Sequence, residues 1–469
     1  MKIHQRSLID RFLVNHIKLG LVIIVILAGL VRLIHLGTWS FWTDEIPTLY
    51  NAQHILENFL ADFRSVLLIY PTTSFLIHIP VAIFGPGEWS ARLFPAIIGI
   101  VSAPILYIQL RNIINPTVGI IAAFLLAISP WHLFWSQNAR FYVVLFLFYN
   151  LALLTVFQGF EKNKPHYIIF SMIFLGFAIS ERLISLFFVP VIGLYVIGVV
   201  LLPFERPSGL NLRNLALLLV PGFIMGMFFA GRFILVPSDW LDTFSTRNTG
   251  PAQILVDFIR HVDIGVIGMG LLGSYILLRK RSRIGFLLFL NATVPVILIM
   301  AASLVQFAKD RYAFISLASW IILAAYAAYT LYQQTNQEMK VLIFGTLFIL
   351  LVLSPVKEIY KYHALTNGDR DDLKTAFQFV VDRRKPQDLI LSDRSLVGFY
   401  YLRETIYSLG DVDGDAAPST WLWWEQPTWF IVGGSGIFDK NVYDWIQTNA
   451  ELKYADGEKL RVYYYKPPD

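Results

Sequence analysis

Apolar runs of roughly 15 to 20 residues recur along this chain with short polar breaks between them, the length a helix needs to cross a bilayer. The pattern predicts crossing helices at 19–36, 92–110, 118–136, 141–158, 167–180, 183–203, 214–235, 261–278, 284–304, 314–332 and 341–355. A further stretch, 66–84 ("VLLIYPTTSFLIHIPVAIF"), is as apolar as these but carries Pro71 and Pro80. Charge decides how to read it. With a cytoplasmic N-terminus and no crossing at 66–84, the turns "LRNIINP", "FQGFEKNKPHY", "ERPSGLNLR", "RKRSR" and "QQTNQEMK" all fall in the cytoplasm, as basic turns should. A crossing at 66–84 moves "RKRSR" outside, so this segment is expected to lie in or dip into the outer interface, its prolines interrupting a regular crossing helix. That parity requires 167–203 to be two short helices turning at Glu181-Arg182.

After about position 355 the charge density rises and the periodicity shortens. "RDDLKTAFQFVVDRRKP" and "NVYDWIQTNA" read as helices, and "DLILSD", "TWFIVGG" and "KLRVYYYKP" as strands. The expectation is a transmembrane domain over 1–355 and a small, soluble, extracytoplasmic α/β domain over 356–469, with a mainly parallel sheet. "GGSG" at 433–436 lacks the spacing of a nucleotide-binding turn and reads as a plain turn.

Composition supports a multi-pass membrane protein: 469 residues, 56% hydrophobic and 15% charged. Lys2, Arg6, Arg11 and Lys18 precede the first run without a small-residue cleavage site after it, which reads as a retained helix. With no cysteine, disulfides and thiol-ligated metals are excluded. A net charge of +5 is accounted for by cytoplasmic turns and lipid phosphates, without nucleic acid.

The same topology gathers unusual polar residues on the outer side. They are Asp44 and Glu45 in "TDE", Arg92 in "EWSAR", Arg140 and Tyr142 in "WSQNARFY", Glu181 in "ERL", Asp239 in "PSDWLDTFSTRNTG", and Arg311 and Tyr312 in "AKDRY". Each has a plainer reading. Aromatic residues mark membrane interfaces, an acid beside a helix start is a solvated or capping group, and interface arginines reach toward water. Arg140 resists this reading most, because "QNAR" sets three strongly polar side chains against "FYVVLFLFYNLALL". Together, carboxylates that accept a proton and arginines that match phosphate oxygens bidentately suit a sugar linked through phosphate to a polyprenol.

The runs "RLIHLGTWSFWTDEIPTLYNAQHI", "YPTTSFLIHIPVAIFGPGEWSARLFPAIIGIVSAPILY", "LLAISPWHLFWSQNARFYVVLFLFYNLALLTVF" and "DRYAFISLASW" resemble the GT-C glycosyltransferases, specifically protein O-mannosyltransferases and lipid A aminoarabinose transferases. The resemblance extends to about position 330. It implies a helical GT-C-like fold with interfacial helices in the first outer loop, to which the apolar runs assign about 11 crossing helices. It also implies a polyprenyl-phosphate-linked sugar donor and a protein, lipid or glycan acceptor at the outer face of the cell membrane. By the same resemblance Asp44 is the catalytic base or acceptor-orienting acid and Glu45 its supporting neighbour. Arg92, Arg140, Tyr142, Arg311 and Tyr312 are then donor-phosphate residues.

Two departures matter. Where many relatives carry "HPP" or "KPP", this chain has "YPT" at 70–72, so a basic contribution is missing there. Near "SQNAR" the second acid of some relatives is replaced by Gln137 and Asn138, leaving Glu181 and Asp239 as possible additional acids and a divalent metal doubtful. His78 and His132 read as packing residues. The rival readings are a polyprenyl-phosphate or glycolipid transporter, which calls for broken helices and midplane polar groups, and a catalytically inactive homologue.

Overall fold

The computed structural model describes residues 8–61, 70–234, 249–305, 307–433, 439–457 and 460–467. By contact density the chain forms two compact units: Met1–Ile34, Ile55–Ile77 and Arg92–Ile359 in the first, His35–His54, His78–Ala91 and Tyr360–Asp469 in the second.

The first unit is helical. Each of the eleven apolar runs contains a helix. Among the described residues, six helices are long and apolar enough to cross a membrane, or eight if each of two bent pairs counts as one span. One pair, Pro116–Ala127 and Pro130–Ser136, bends by 61°, and the other, Pro251–Val262 and Ile264–Arg279, by 94°. Ser129 caps the second half of the first pair. Asp263 caps the helix Ile264–Arg279 by accepting from the Gly265 N–H at 2.8 Å. The interior is tied by polar side chains as well as packing. Tyr149 donates to Asn291 at 2.7 Å, Asn291 to Ser319 at 2.8 Å, and Trp320 Nε1 to the Ala292 carbonyl at 3.0 Å. In an apolar surround such bonds, each worth about 1 kcal/mol, fix which helices are neighbours.

The helix Pro165–Glu181 ends where Arg182 becomes extended (φ −161°, ψ 138°), and a new helical segment runs Leu183–Leu201. The expected turn at Glu181-Arg182 is therefore present. In the apolar stretch 66–84, residues 66–69 lie outside the described residues; the rest forms one helix, Pro71–Phe84. Pro71 begins this helix rather than breaking it, since the first helical position has no N–H to lose. Its 14 residues span about 21 Å, short of the roughly 30 Å hydrocarbon core.

The second unit contains a five-stranded sheet in the order β2-β1-β3-β5-β4, with β1 Leu389–Ser392, β2 Tyr407–Ser408, β3 Thr428–Val432, β4 Glu451–Asp456 and β5 Leu460–Tyr465. β1 pairs parallel to β2 and β3, whereas β5 pairs antiparallel to β3 and β4. The expected mainly parallel sheet is thus a mixed one. The connection from Asp456 to Leu460 is too short for the crossover that a parallel pair requires. All five residues of β3 are buried because both faces of the sheet are covered. Trp429 and Ile431 pack with Phe377 and Val380 of the helix Leu373–Val381, while Phe430 and Val432 pack with Val442 and Ile446 of the helix Lys440–Asn449. Of the turn expected at "GGSG", Gly433 is described and 434–436 lie outside the described residues.

Candidate active site

In the first unit, "QNAR" forms the turn that enters the helix Tyr142–Lys162. Gln137 Nε2 donates to the carbonyls of Arg32 at 2.9 Å and Ile34 at 2.8 Å, and Asn138 Nδ2 donates to the Phe134 carbonyl at 2.6 Å. These two amides secure the turn. Arg140, only 8% exposed, instead lies over aromatic faces, its Cζ 5.1 Å from the Tyr70 ring centre and 5.3 Å from that of Phe141.

Arg182 approaches the same two rings, at 5.9 Å and 5.6 Å, and its Nη1 donates to the Tyr70 hydroxyl at 3.3 Å. Tyr70 stacks on Phe141 at 4.5 Å, Phe141 on Tyr142 at 4.2 Å, and Tyr142 meets Trp135 at 3.8 Å. Arg311 lies over the ring of its neighbour Tyr312, its Cζ 5.9 Å from the ring centre. The result is a largely buried aromatic platform edged by the guanidinium groups of Arg140 and Arg182. No sequence signal singles out Arg182 except its place beside Glu181. Tyr70 is the first residue of "YPT".

Tyr70 has a left-handed backbone (φ 55°), which costs a non-glycine residue about 1–2 kcal/mol. The strain is held in place by the helix that follows, where the Ser74 N–H donates to the Tyr70 carbonyl at 2.8 Å. Glu181 anchors the same helix start. One of its oxygens accepts from the Thr72 N–H at 2.8 Å and the Thr73 N–H at 3.2 Å, and the other accepts from the Thr73 hydroxyl. A buried carboxylate here satisfies backbone donors that have no partner within their own helix. Arg92 is fully buried on the helix Glu88–Ile113. Asp239 lies outside the described residues.

Arg32 is a buried polar residue that nothing in the first apolar run singles out. It donates to the Ala28, Ala127 and Leu126 carbonyls and to the Ser136 hydroxyl, and its Nη2 lies 2.9 Å from His132 Nδ1. Its guanidinium thus satisfies the carbonyls freed at the 61° bend. His132 is buried in this network, as a packing histidine should be.

In the second unit the two adjacent acids separate. Asp44 precedes the helix Glu45–Gln53 and is half-buried, making no side-chain cap bond to that helix. Glu45 is wholly buried; its Oε2 accepts from the Trp42 N–H at 3.0 Å and stands 3.9 Å from Arg370 Nε. Arg370 in turn lies over the Trp39 ring at 5.6 Å. Ser40 donates to Asp372 at 3.1 Å and accepts from the Lys374 N–H at 3.0 Å, and the Phe41 N–H donates to the Tyr401 hydroxyl at 2.9 Å. A cavity of about 310 Å³ opens beside these residues, lined by His35, Trp39, Ser40, His363, Arg370 and Asp372 among others. Among the described residues no group of three or more histidine and carboxylate side chains could hold a metal ion.

Comparison with known proteins bears on this arrangement. Residues 70–225 match the family model described as dolichyl-phosphate-mannose-protein mannosyltransferase, the part of the chain that carries Tyr70, Arg92, Arg140, Tyr142, Glu181 and Arg182. The chain is similar in structure to ArnT from Cupriavidus metallidurans in the apo state, with a TM-score of 0.61 at 13% identity over 95% of this chain and 99% of that one. It is similarly matched to the same protein bound to undecaprenyl phosphate (TM-score 0.60, 13% identity, 95% and 99% covered). The oligosaccharyltransferase AglB from Archaeoglobus fulgidus, in complex with an inhibitory peptide and a dolichol-phosphate, matches with a TM-score of 0.55 at 13% identity, over 83% of this chain and 64% of that one. No curated protein sequence matches. The fold is that of the GT-C membrane glycosyltransferases, as the resemblance in the sequence implied.

Proposed function

We propose that this protein transfers a sugar from a polyprenyl-phosphate donor to a protein, lipid or glycan acceptor at the outer face of the membrane. The observation that carries the reading is the convergence of Arg140 and Arg182 on the Tyr70–Phe141 platform. A cluster of fixed positive charge suits a phosphate that becomes more anionic as its sugar leaves. Support comes from the fold, shared with proteins whose structures hold undecaprenyl phosphate and a dolichol-phosphate.

In this reading the acceptor attacks the anomeric carbon as the bond to the phosphate oxygen breaks, with inversion; the electron pair departs with the phosphate and the acceptor proton passes to Asp44. Arg140, Arg182 and Arg311 hold the phosphate, with the Tyr142 and Tyr312 hydroxyls as further donors and Arg92 as a supporting positive charge. Glu45 holds the loop that carries Asp44. The soluble C-terminal portion, 356–469, is extracytoplasmic and the N-terminus cytoplasmic. The test is transfer by purified protein from a panel of polyprenyl-phosphate sugars to cell-envelope acceptors, and absence of transfer from every donor would overturn the reading.

One observation favours transport of a glycolipid instead: the two helix pairs bent by 61° and 94°. Reconstituted protein that moves a labelled polyprenyl-phosphate sugar between leaflets without transferring the sugar would decide for that alternative.

A further inference from the structure

The helix Tyr142–Lys162 carries the arginine platform at its start and a second polar site at its end, about 31 Å away along 21 residues. There a cavity of about 650 Å³ opens among the ends of the helices Tyr142–Lys162, Ile264–Arg279 and Arg283–Ala302. Four cations line it, Lys162, Lys280, Arg281 and Arg283, against two carboxylates, Glu161 and Glu205. Both carboxylates serve Arg283: Glu161 binds it bidentately at 2.7 Å and 2.7 Å, and Glu205 stands at 3.9 Å.

Two of the other three cations, Lys162 and Lys280, meet neutral groups. Lys162 donates to Gln158 at 2.8 Å, and Lys280 to the Tyr326 hydroxyl at 3.3 Å. Arg281 sits in a left-handed turn (φ 52°) and, like Lys162 and Lys280, has no carboxylate within ion-pair distance among the described residues. Basic residues are favoured at helix C-termini on their own account, which explains the charge but not a cavity walled by a fixed ion pair. The cavity lies at the ends of apolar helices, the depth at which lipid headgroups sit.

We propose that this cavity is a second anion site, which seats a phosphate group carried by an anionic phospholipid headgroup at the membrane face opposite the arginine platform. Lys162, Lys280 and Arg281 bind the phosphate, while the Arg283–Glu161 pair forms the wall. Basic pockets between membrane helices are suited to such headgroups by charge and depth together.

The test is lipid retention by purified full-length protein in nanodiscs containing phosphatidylglycerol and phosphatidylcholine, read by native mass spectrometry. Wild-type protein should retain phosphatidylglycerol preferentially. Lys162→Gln/Lys280→Gln/Arg281→Gln should lose that preference by about tenfold or more, and Lys162→Arg/Lys280→Arg/Arg281→Lys should keep it within about threefold. Should the triple glutamine variant fail to insert, Lys280→Gln alone should still show a loss of about threefold. Exposed Lys164, which does not line the cavity, serves as the control, and Lys164→Gln should behave as wild type. Equal retention by wild-type and glutamine variants, or an equal loss in Lys164→Gln, would overturn the proposal. Displacement of phosphatidylglycerol by millimolar inorganic phosphate would show that the cavity takes free phosphate and would overturn the lipid assignment.

Discussion

Glu45 Oε2 lies 3.9 Å from Arg370 Nε although the two stand far apart in the chain, with the Glu45 side chain fully buried and that of Arg370 5% exposed. A buried pair of this kind costs several kcal/mol when one partner alone is removed, because the other charge is left without compensation. Glu45→Gln and Arg370→Gln should each lower stability by about 3–5 kcal/mol, and the double variant should lose less than the sum. Thermal or denaturant unfolding of the three variants checks this. Strict additivity would show that the two side chains do not interact.

Arg140 should matter more than its neighbours in the turn. Arg140→Ala should weaken binding of a polyprenyl phosphate by about 2–5 kcal/mol, the penalty for removing one partner of a desolvated charge pair. Arg140→Lys should recover only part of it, since a point charge does not reproduce the planar fork. Arg182→Ala should show a loss in the same direction. Direct binding of the lipid phosphate to each variant is the measurement, and unchanged binding in both would remove this pair from the donor site.

Glu181 is expected to act on the helix start rather than on the reaction. Glu181→Gln keeps the shape but loses the charge that faces two backbone N–H groups, which should cost about 1–3 kcal/mol of stability. Turnover per folded molecule should stay within a few-fold of the parent. A loss of turnover near that of a catalytic substitution, with stability intact, would return Glu181 to the chemistry.

Sidedness is open to direct test because the chain has no cysteine. Arg281→Cys should resist a membrane-impermeant thiol reagent applied to intact cells, and Glu425→Cys, on an exposed residue of the second unit, should react. The opposite pattern would invert the topology argued from basic turns.

Much of this architecture was legible in the sequence, because apolar length and the chemistry of helix starts are local signals. Every long apolar run holds a helix, and the turn at Glu181-Arg182 falls where charge parity demanded it. What escaped depended on distant partners. The strand Glu451–Asp456 carries only one strongly apolar side chain, Leu452, and is largely exposed, so no alternation marks it; it forms by pairing with β5. Arg32 looked like an ordinary charge in an apolar run until the bent helix beside it supplied carbonyls to bind. Glu45 could not be told from Asp44 by spacing alone, since the distinction rests on Arg370, distant in the sequence. Arg182 and Tyr70 meet only because two separate helix ends come together.

The proposed chemistry turns on Asp44 taking the acceptor proton in transfer from a polyprenyl-phosphate sugar. Asp44→Asn preserves volume and much of the hydrogen bonding while removing the proton acceptor, so turnover should fall about 100-fold or more with donor binding little changed. The measurement is the rate of sugar transfer by purified parent and Asp44→Asn proteins under saturating donor, together with their donor affinities. A large loss in kcat at unchanged donor affinity is the result expected; transfer at the parental rate would contradict the assignment and leave the acid at position 44 a structural feature of its loop.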